Sequence, residues 1–151
     1  MKYLLSISIV LAAVFFSYLI IFNQQEELAK SEEQSGEVKQ KQWETKIDEE
    51  PPVTIEITPV EFGPAANQWK FNVIFTTHSG ILDFDPMGIA SITDDKGGVS
   101  RPIAWEGPGP GGHHREGMLI FNPVNPTPKY IKLKMNNVGG AAERTFIWNG
   151  E

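Results

Sequence analysis

The sequence predicts an all-β protein: an immunoglobulin-like antiparallel β-sandwich of seven or eight short strands, preceded by one transmembrane helix and a charged stalk. Three observations lead there. Between Val53 and Trp148 apolar residues alternate with polar ones, which is the period of a half-buried strand and not of a helix. Clusters of Gly, Pro, Asn and Asp interrupt that alternation about every ten residues, the spacing of sandwich strands. Upstream, an unbroken apolar run gives way abruptly to a polar, acidic one.

The N-terminal run is Leu4 to Phe22, 19 residues with no charge. As a helix it would span about 28 Å, close to the hydrocarbon thickness of a bilayer. Residues 1–23 therefore read as an uncleaved signal-anchor. A secretory signal peptide that is cleaved to release the protein is the alternative, although no small-x-small site ends the run. Lys2 precedes the run and QQEELAKSEE follows it. The positive-inside tendency then leaves the N-terminus cytoplasmic and the C-terminal domain extracytoplasmic, single-pass in the cell membrane.

Residues 24–51 change to Glu, Gln, Lys and Ser, with Leu28, Val38, Trp43 and Ile47 as isolated apolar residues. So little apolar surface cannot offset the chain entropy of ordering, and the segment reads as a flexible or partly helical stalk. Trp43 and Ile47 could form one helical stripe that docks on the following domain. Pro51-Pro52 ends the stalk, because proline cannot continue a helix.

The sandwich domain, residues 52–151, follows in order. Val53, Ile55 and Ile57 share one face of a strand, and Gly63 to Asn67 is a turn cluster. Trp69, Phe71, Val73 and Phe75 form the clearest strand. Ile81 to Met87 is a short extended piece or loop broken by Pro86. Ala90 and Ile92 face one way, and Ile89, Ser91 and Thr93 the other. Asp94 to Gly98 is a hairpin turn, from which Val99 to Trp105 returns. Gly117 to Phe121, Tyr130 to Met135 and Arg144 to Trp148 complete the set.

Composition removes several functions. The chain carries 13 Lys+Arg against 19 Asp+Glu, a formal net charge of -6. That charge leaves no electrostatic footprint for nucleic acid. The absence of cysteine excludes disulfides, thiolate metal sites and a Cys nucleophile.

The stretch with the most chemistry is Trp105 to Phe121, WEGPGPGGHHREGMLIF. It holds two of the three histidines, His113 and His114, and His78 closes an earlier strand. Histidine is a common metal ligand, so loops meeting at a sandwich end could bring His78 to His113 or His114. Asp83, Asp85 and Glu106 are additional ligand candidates, and Met87 and Met118 offer thioethers. Imidazole with carboxylate suits zinc or Cu(II), and thioether favours Cu(I). Adjacent histidines on a regular strand point to opposite faces, so only one of the two could join His78 there. The competing reading is structural: histidines that cap the loop, Arg115 pinning it to the sheet through a carboxylate, and Trp105 in the core.

Other chemistries fit less well. Asp83, Asp85 and Gly88 resemble part of a calcium loop, but Met87 stands where a third oxygen ligand is needed. No nucleophile elbow accompanies Thr77 or Ser79, which leaves a hydrolase as the third and least favoured reading. GPGPGG lacks the Lys-Ser/Thr of a phosphate loop.

These residues carry a resemblance. The run WEGPGPGGHHREGMLIF, with THSGILDFD upstream and GGAAERTFIWNG at the end, resembles a group of small exported or membrane-anchored prokaryotic β-sandwich proteins sharing WEG…GGHHRxGxLxF. It spans about Val53 to Trp148. The group has no established activity, so the resemblance implies no catalytic assignment. It implies that His78, His113, His114 and Arg115 act as a motif of the domain. A looser, fold-level likeness to copper-resistance-type sandwiches lacks their N-terminal histidine. The reading that follows is a membrane-tethered, non-enzymatic domain with a protein-interaction or envelope-structural role and no cofactor. Its partners are the membrane, through the N-terminal helix, and another envelope protein. The alternative is a copper- or zinc-binding domain.

Overall fold

The computed structural model describes residues 42–150. The signal-anchor and the stalk through residue 41 lie outside them. Among the described residues, no helix is long and apolar enough to cross a membrane.

Two antiparallel sheets pack face to face as a sandwich. In chain order the strands are β1 (Lys46–Asp48), β2 (Val53–Glu61), β3 (Trp69–Thr77), β4 (Ala90–Asp94), β5 (Val99–Ser100), β6 (Ala104–Glu106), β7 (His114–Phe121), β8 (Tyr130–Val138) and β9 (Ala141–Asn149). The five-stranded sheet runs β1-β2-β3-β7-β6, and the four-stranded sheet runs β5-β4-β8-β9. One turn of helix, α1 (Pro86–Ile89), interrupts the β3–β4 connection.

Alternation builds the core. Val53, Ile55, Ile57, Trp69, Phe71, Val73 and Phe75 come from the first sheet, and Ala90, Ile92, Ile131, Leu133, Met135, Phe146 and Trp148 from the second. Each fully buried aliphatic or aromatic side chain contributes about 1.5–3 kcal/mol. Ring pairs such as Phe71 of β3 with Trp148 of β9, centroids 5.7 Å apart, join the two sheets across the core.

Three elements differ from the sequence expectation. The sandwich begins before residue 52. Trp43 lies edge-to-face on Phe62 at 4.8 Å, and β1 pairs with β2 from Lys46↔Ile57 to Asp48↔Ile55. Trp43 and Ile47 therefore join the domain through extended chain, not a helical stripe. An adjacent sheet edge supplied the hydrogen bonds that the polar segment could not supply to itself. Next, the strand expected over Val99 to Trp105 divides at Pro102. β5 hairpins with β4, and β6 crosses to the other sheet beside β7. Proline lacks the N–H that a continued ladder would need. Finally, β7 starts at His114, three residues before Gly117.

The register defines two ends. β2 begins at Val53, opposite Thr77, and β7 begins at His114, opposite Thr76. The β3–β4 connection, the glycine-rich loop 107–113 and the β8–β9 turn all lie at this end. Trp43, the turn after Phe62 and Gly150 lie at the other. β3, nine residues long, separates the two ends by about 26 Å.

Candidate functional site

The glycine-rich loop is built around Arg115. Its position in β7 is opposite Phe75, on the inward face, and it is 1% exposed. The guanidinium donates to three backbone carbonyls. Nη1 reaches Phe84 at 2.6 Å and Leu82 at 3.3 Å, and Nη2 reaches Pro108 at 2.9 Å. It also lies between two ring faces, 5.6 Å from the Phe84 centroid and 5.8 Å from that of Trp105. Burial lowers its pKa below the ordinary value, and the negative charge of Asp85 opposes that shift. Nε has no partner.

Trp105 forms one wall of this arrangement. Its Nε1–H donates to the Pro108 carbonyl at 3.0 Å, the same carbonyl that Arg115 uses. The indole covers two glycines. A Cβ on Gly117 would sit 2.7 Å from the ring, and one on Gly107 would sit 2.6 Å from it. The spacing Trp-x-Gly…Arg-x-Gly is thus the footprint of one indole lying flat on two backbones. Trp105 is half-buried and packs against the core edge.

Leu82 ties the two loops together. Its side chain is fully buried, its N–H donates to Gly112 O at 3.0 Å, and its carbonyl accepts from Gly111 N at 2.7 Å. Gly111 and Gly112 have φ of +125° and +72°, which L side chains rarely adopt. Thr77 N then donates to His113 O at 2.9 Å, extending the β3–β7 register by one pair.

All three histidines are exposed. His114 lies opposite Thr76, and its Nδ1 is 3.1 Å from Thr76 Oγ1. The register through Thr77 and His113 preserves alternation, so His113 and His114 leave from opposite faces. His78 follows the end of β3, in the bend after Thr77. The carboxylates lie elsewhere. Glu106 is opposite Met118, four residues along β7 from His114, about 13 Å away. Asp85 caps α1, its Oδ1 accepting from Met87 N at 3.0 Å. Asp83 is exposed on the loop. Among the described residues, no group of three or more His, Asp or Glu side chains could hold a metal ion.

Neither family models, curated proteins nor solved structures yield a match to this chain.

A second arginine, Arg144, is also buried. Arg144 of β9 is 2% exposed; it donates to Val53 O, to Glu50 O at 2.8 Å and to Asp48 Oδ1 at 3.3 Å. Its signal was its phase. Arg144 shares parity with Phe146 and Trp148, as Arg115 does with Leu119 and Phe121, so both were due to point inward.

Proposed function

We propose that the chain is a membrane-tethered, extracytoplasmic, immunoglobulin-like domain with a non-enzymatic role in protein interaction or envelope structure. The observation that carries this reading is the use of the glycine-histidine motif. Trp105, Gly107, Pro108, Arg115 and Gly117 are consumed in holding the loop 107–113 against the β3–β4 connection. The three imidazoles are exposed, and among the described residues they belong to no group of three or more His, Asp or Glu side chains that could hold a metal ion.

Strand order supports the immunoglobulin-like assignment. Taken along the chain, β2-β3-β7-β6 corresponds to A-B-E-D and β5-β4-β8-β9 to C′-C-F-G. β1 is an addition, and it reverses the direction from which the chain approaches the domain. Gln42 and Gly150 then share one end, and the Trp105–Arg115 loops occupy the opposite end. The apolar run Leu4 to Phe22 supports the tether itself.

Calorimetric titration of the chain with zinc and with copper tests the non-metal reading, with His113→Ala and His114→Ala variants alongside. The expected result is no saturable heat for either metal. Saturable binding lost in either variant would replace this proposal with the metal-binding alternative. N-terminal sequencing of membrane-extracted protein tests the tether: Met1 retained supports it, and a mature start near Ser17 or Asn23 would mean release by cleavage.

A further inference from the structure

Four strands bound the two sheets, and three of them are short. β1 and β6 have three residues each, and β5 has two. Short edges offer little ladder to another chain. β9 is different. It is nine residues long, AAERTFIWN, without proline or lysine. Its register with β8 is constant from Tyr130↔Asn149 to Asn136↔Glu143. Its one inward charge, Arg144, is already bonded to Asp48.

The hydrogen-bond parity of β9 is defined by its end. Gly150 N donates to Lys129 O at 2.9 Å, in register with the β8–β9 ladder. In an antiparallel pair, alternate residues exchange both backbone bonds and the residues between them face away. Arg144, Phe146 and Trp148 therefore direct their N–H and C=O to β8, and Glu143, Thr145 and Ile147 direct theirs outward. Among the described residues, no hydrogen bond reaches those outward groups. Their side chains are exposed, Ile147 at 47%.

We propose that β9 pairs antiparallel with β9 of a second copy of this chain, about a two-fold axis at Thr145. The sequence of the strand suits this register. Thr145 meets Thr145, a favourable cross-strand pair. Glu143 meets Ile147 of the other copy, so no like charges oppose each other. Arg144 meets Phe146, and Ala141 meets Asn149. All nine positions find partners, and the outward N–H and C=O groups of Glu143, Thr145 and Ile147 are satisfied in reciprocal pairs. The closed two-fold arrangement joins two four-stranded sheets and leaves no further β9 edge open. The inference stands on β9 alone and does not depend on the membrane tether.

The chain has no cysteine, so an introduced one is its only thiol. The full chain in non-ionic detergent is oxidised mildly as Thr145→Cys, Glu143→Cys and Ile147→Cys variants, and as an equal mixture of the last two. Directly paired residues have Cα atoms about 5.5 Å apart, within disulfide range. Thr145→Cys is expected to form a disulfide dimer at least tenfold faster than Glu143→Cys or Ile147→Cys alone. The mixture is expected to form the mixed dimer at a comparable rate. Adding Thr145→Pro to both members of the mixture should slow that reaction at least tenfold. Proline there removes only an outward N–H, so the β8 ladder is retained. Equal rates in the three single variants would overturn the proposal. So would a monomeric Thr145→Cys, the result expected if residues 1–41 or another protein cover β9, or a mixture indifferent to Thr145→Pro.

Discussion

Arg115 and Arg144 do the same job at two places and are supported differently. Each is a fully buried guanidinium that binds backbone carbonyls: Arg115 those of two segments, at Leu82 and Phe84 and at Pro108, and Arg144 those of Glu50 and Val53 in one. Arg144 also meets a carboxylate, Asp48, whose side chain is 27% exposed. Among the described residues, Arg115 hydrogen-bonds to no carboxylate. Its charge is met at hydrogen-bond range by three loop carbonyl dipoles and flanked by the Phe84 and Trp105 rings, with the charge of Asp85 acting without a hydrogen bond. The difference shows how each loop region depends on its arginine. Water can rehydrate Asp48 if Arg144 is lost, whereas the carbonyls of Leu82, Phe84 and Pro108 have their spacing set by Arg115 itself.

That contrast predicts an order of effects. All four tryptophans, Trp43, Trp69, Trp105 and Trp148, lie in the sandwich, so their fluorescence follows its unfolding in the full chain. Arg115→Met should be the most damaging change, costing about 3 kcal/mol in a denaturant titration, because the Phe84 carbonyl loses its donor, the Leu82 and Pro108 carbonyls each lose one of two, and the packing between two rings is lost with them. Arg115→Lys should recover little of it, since one ammonium cannot reproduce the planar fork between two rings. Arg144→Met should cost less, about 2 kcal/mol in the same titration. If the two arginine variants prove equal, the exposure of Asp48 is not what separates them.

Gly117→Ala sharpens the Arg115 side alone. Its Cβ would meet both the indole and the Glu106 carbonyl at 2.7 Å, so the tryptophan must shift. A loss of about 1–2 kcal/mol is expected, with a changed Trp105 contribution to the near-ultraviolet circular dichroism. His113→Ala and His114→Ala should each stay within about 0.5 kcal/mol of wild type, since both are exposed and the bond from His114 to Thr76 lies at the surface.

The smallest effect belongs to the surface ion pairs. Hydrogen bonding and charge from Lys134 hold Glu143 below the usual carboxylate range, and Lys70 does the same for Glu61. A folded pKa below the unfolded one stabilises the protein at neutral pH, and this contribution disappears as pH falls through the folded value. A shallow, salt-sensitive decline under acid conditions should appear in unfolding titrations. It should vanish in Lys134→Ala combined with Lys70→Ala.

The period-two pattern made the sandwich legible because most strands bury one face and expose the other. Val53 to Ile57, Trp69 to Phe75 and Ile131 to Met135 needed nothing more. β1 was hidden because Lys46, Ile47 and Asp48 make an edge strand whose order comes from pairing with β2, not from apolar alternation. The division at Pro102 depends on which sheet has a free edge, which is a tertiary fact. At the glycine-histidine loop, sequence located the motif and anticipated that Arg115 could pin it. The partners were carbonyls instead of a carboxylate, and carbonyl positions carry no residue-type signal. Leu82 looked like any loop leucine until its backbone was seen bonded on both sides to Gly111 and Gly112.

The central claim is that this motif exists to hold two loops together and not to present its histidines. Denaturant unfolding of Arg115→Met beside the double variant His113→Ala/His114→Ala, read by tryptophan fluorescence, tests it most directly. The expected result is a loss of about 3 kcal/mol for Arg115→Met and less than about 1 kcal/mol for the histidine pair. A histidine double variant as unstable as Arg115→Met would contradict it, as would an Arg115→Met protein that unfolds like wild type.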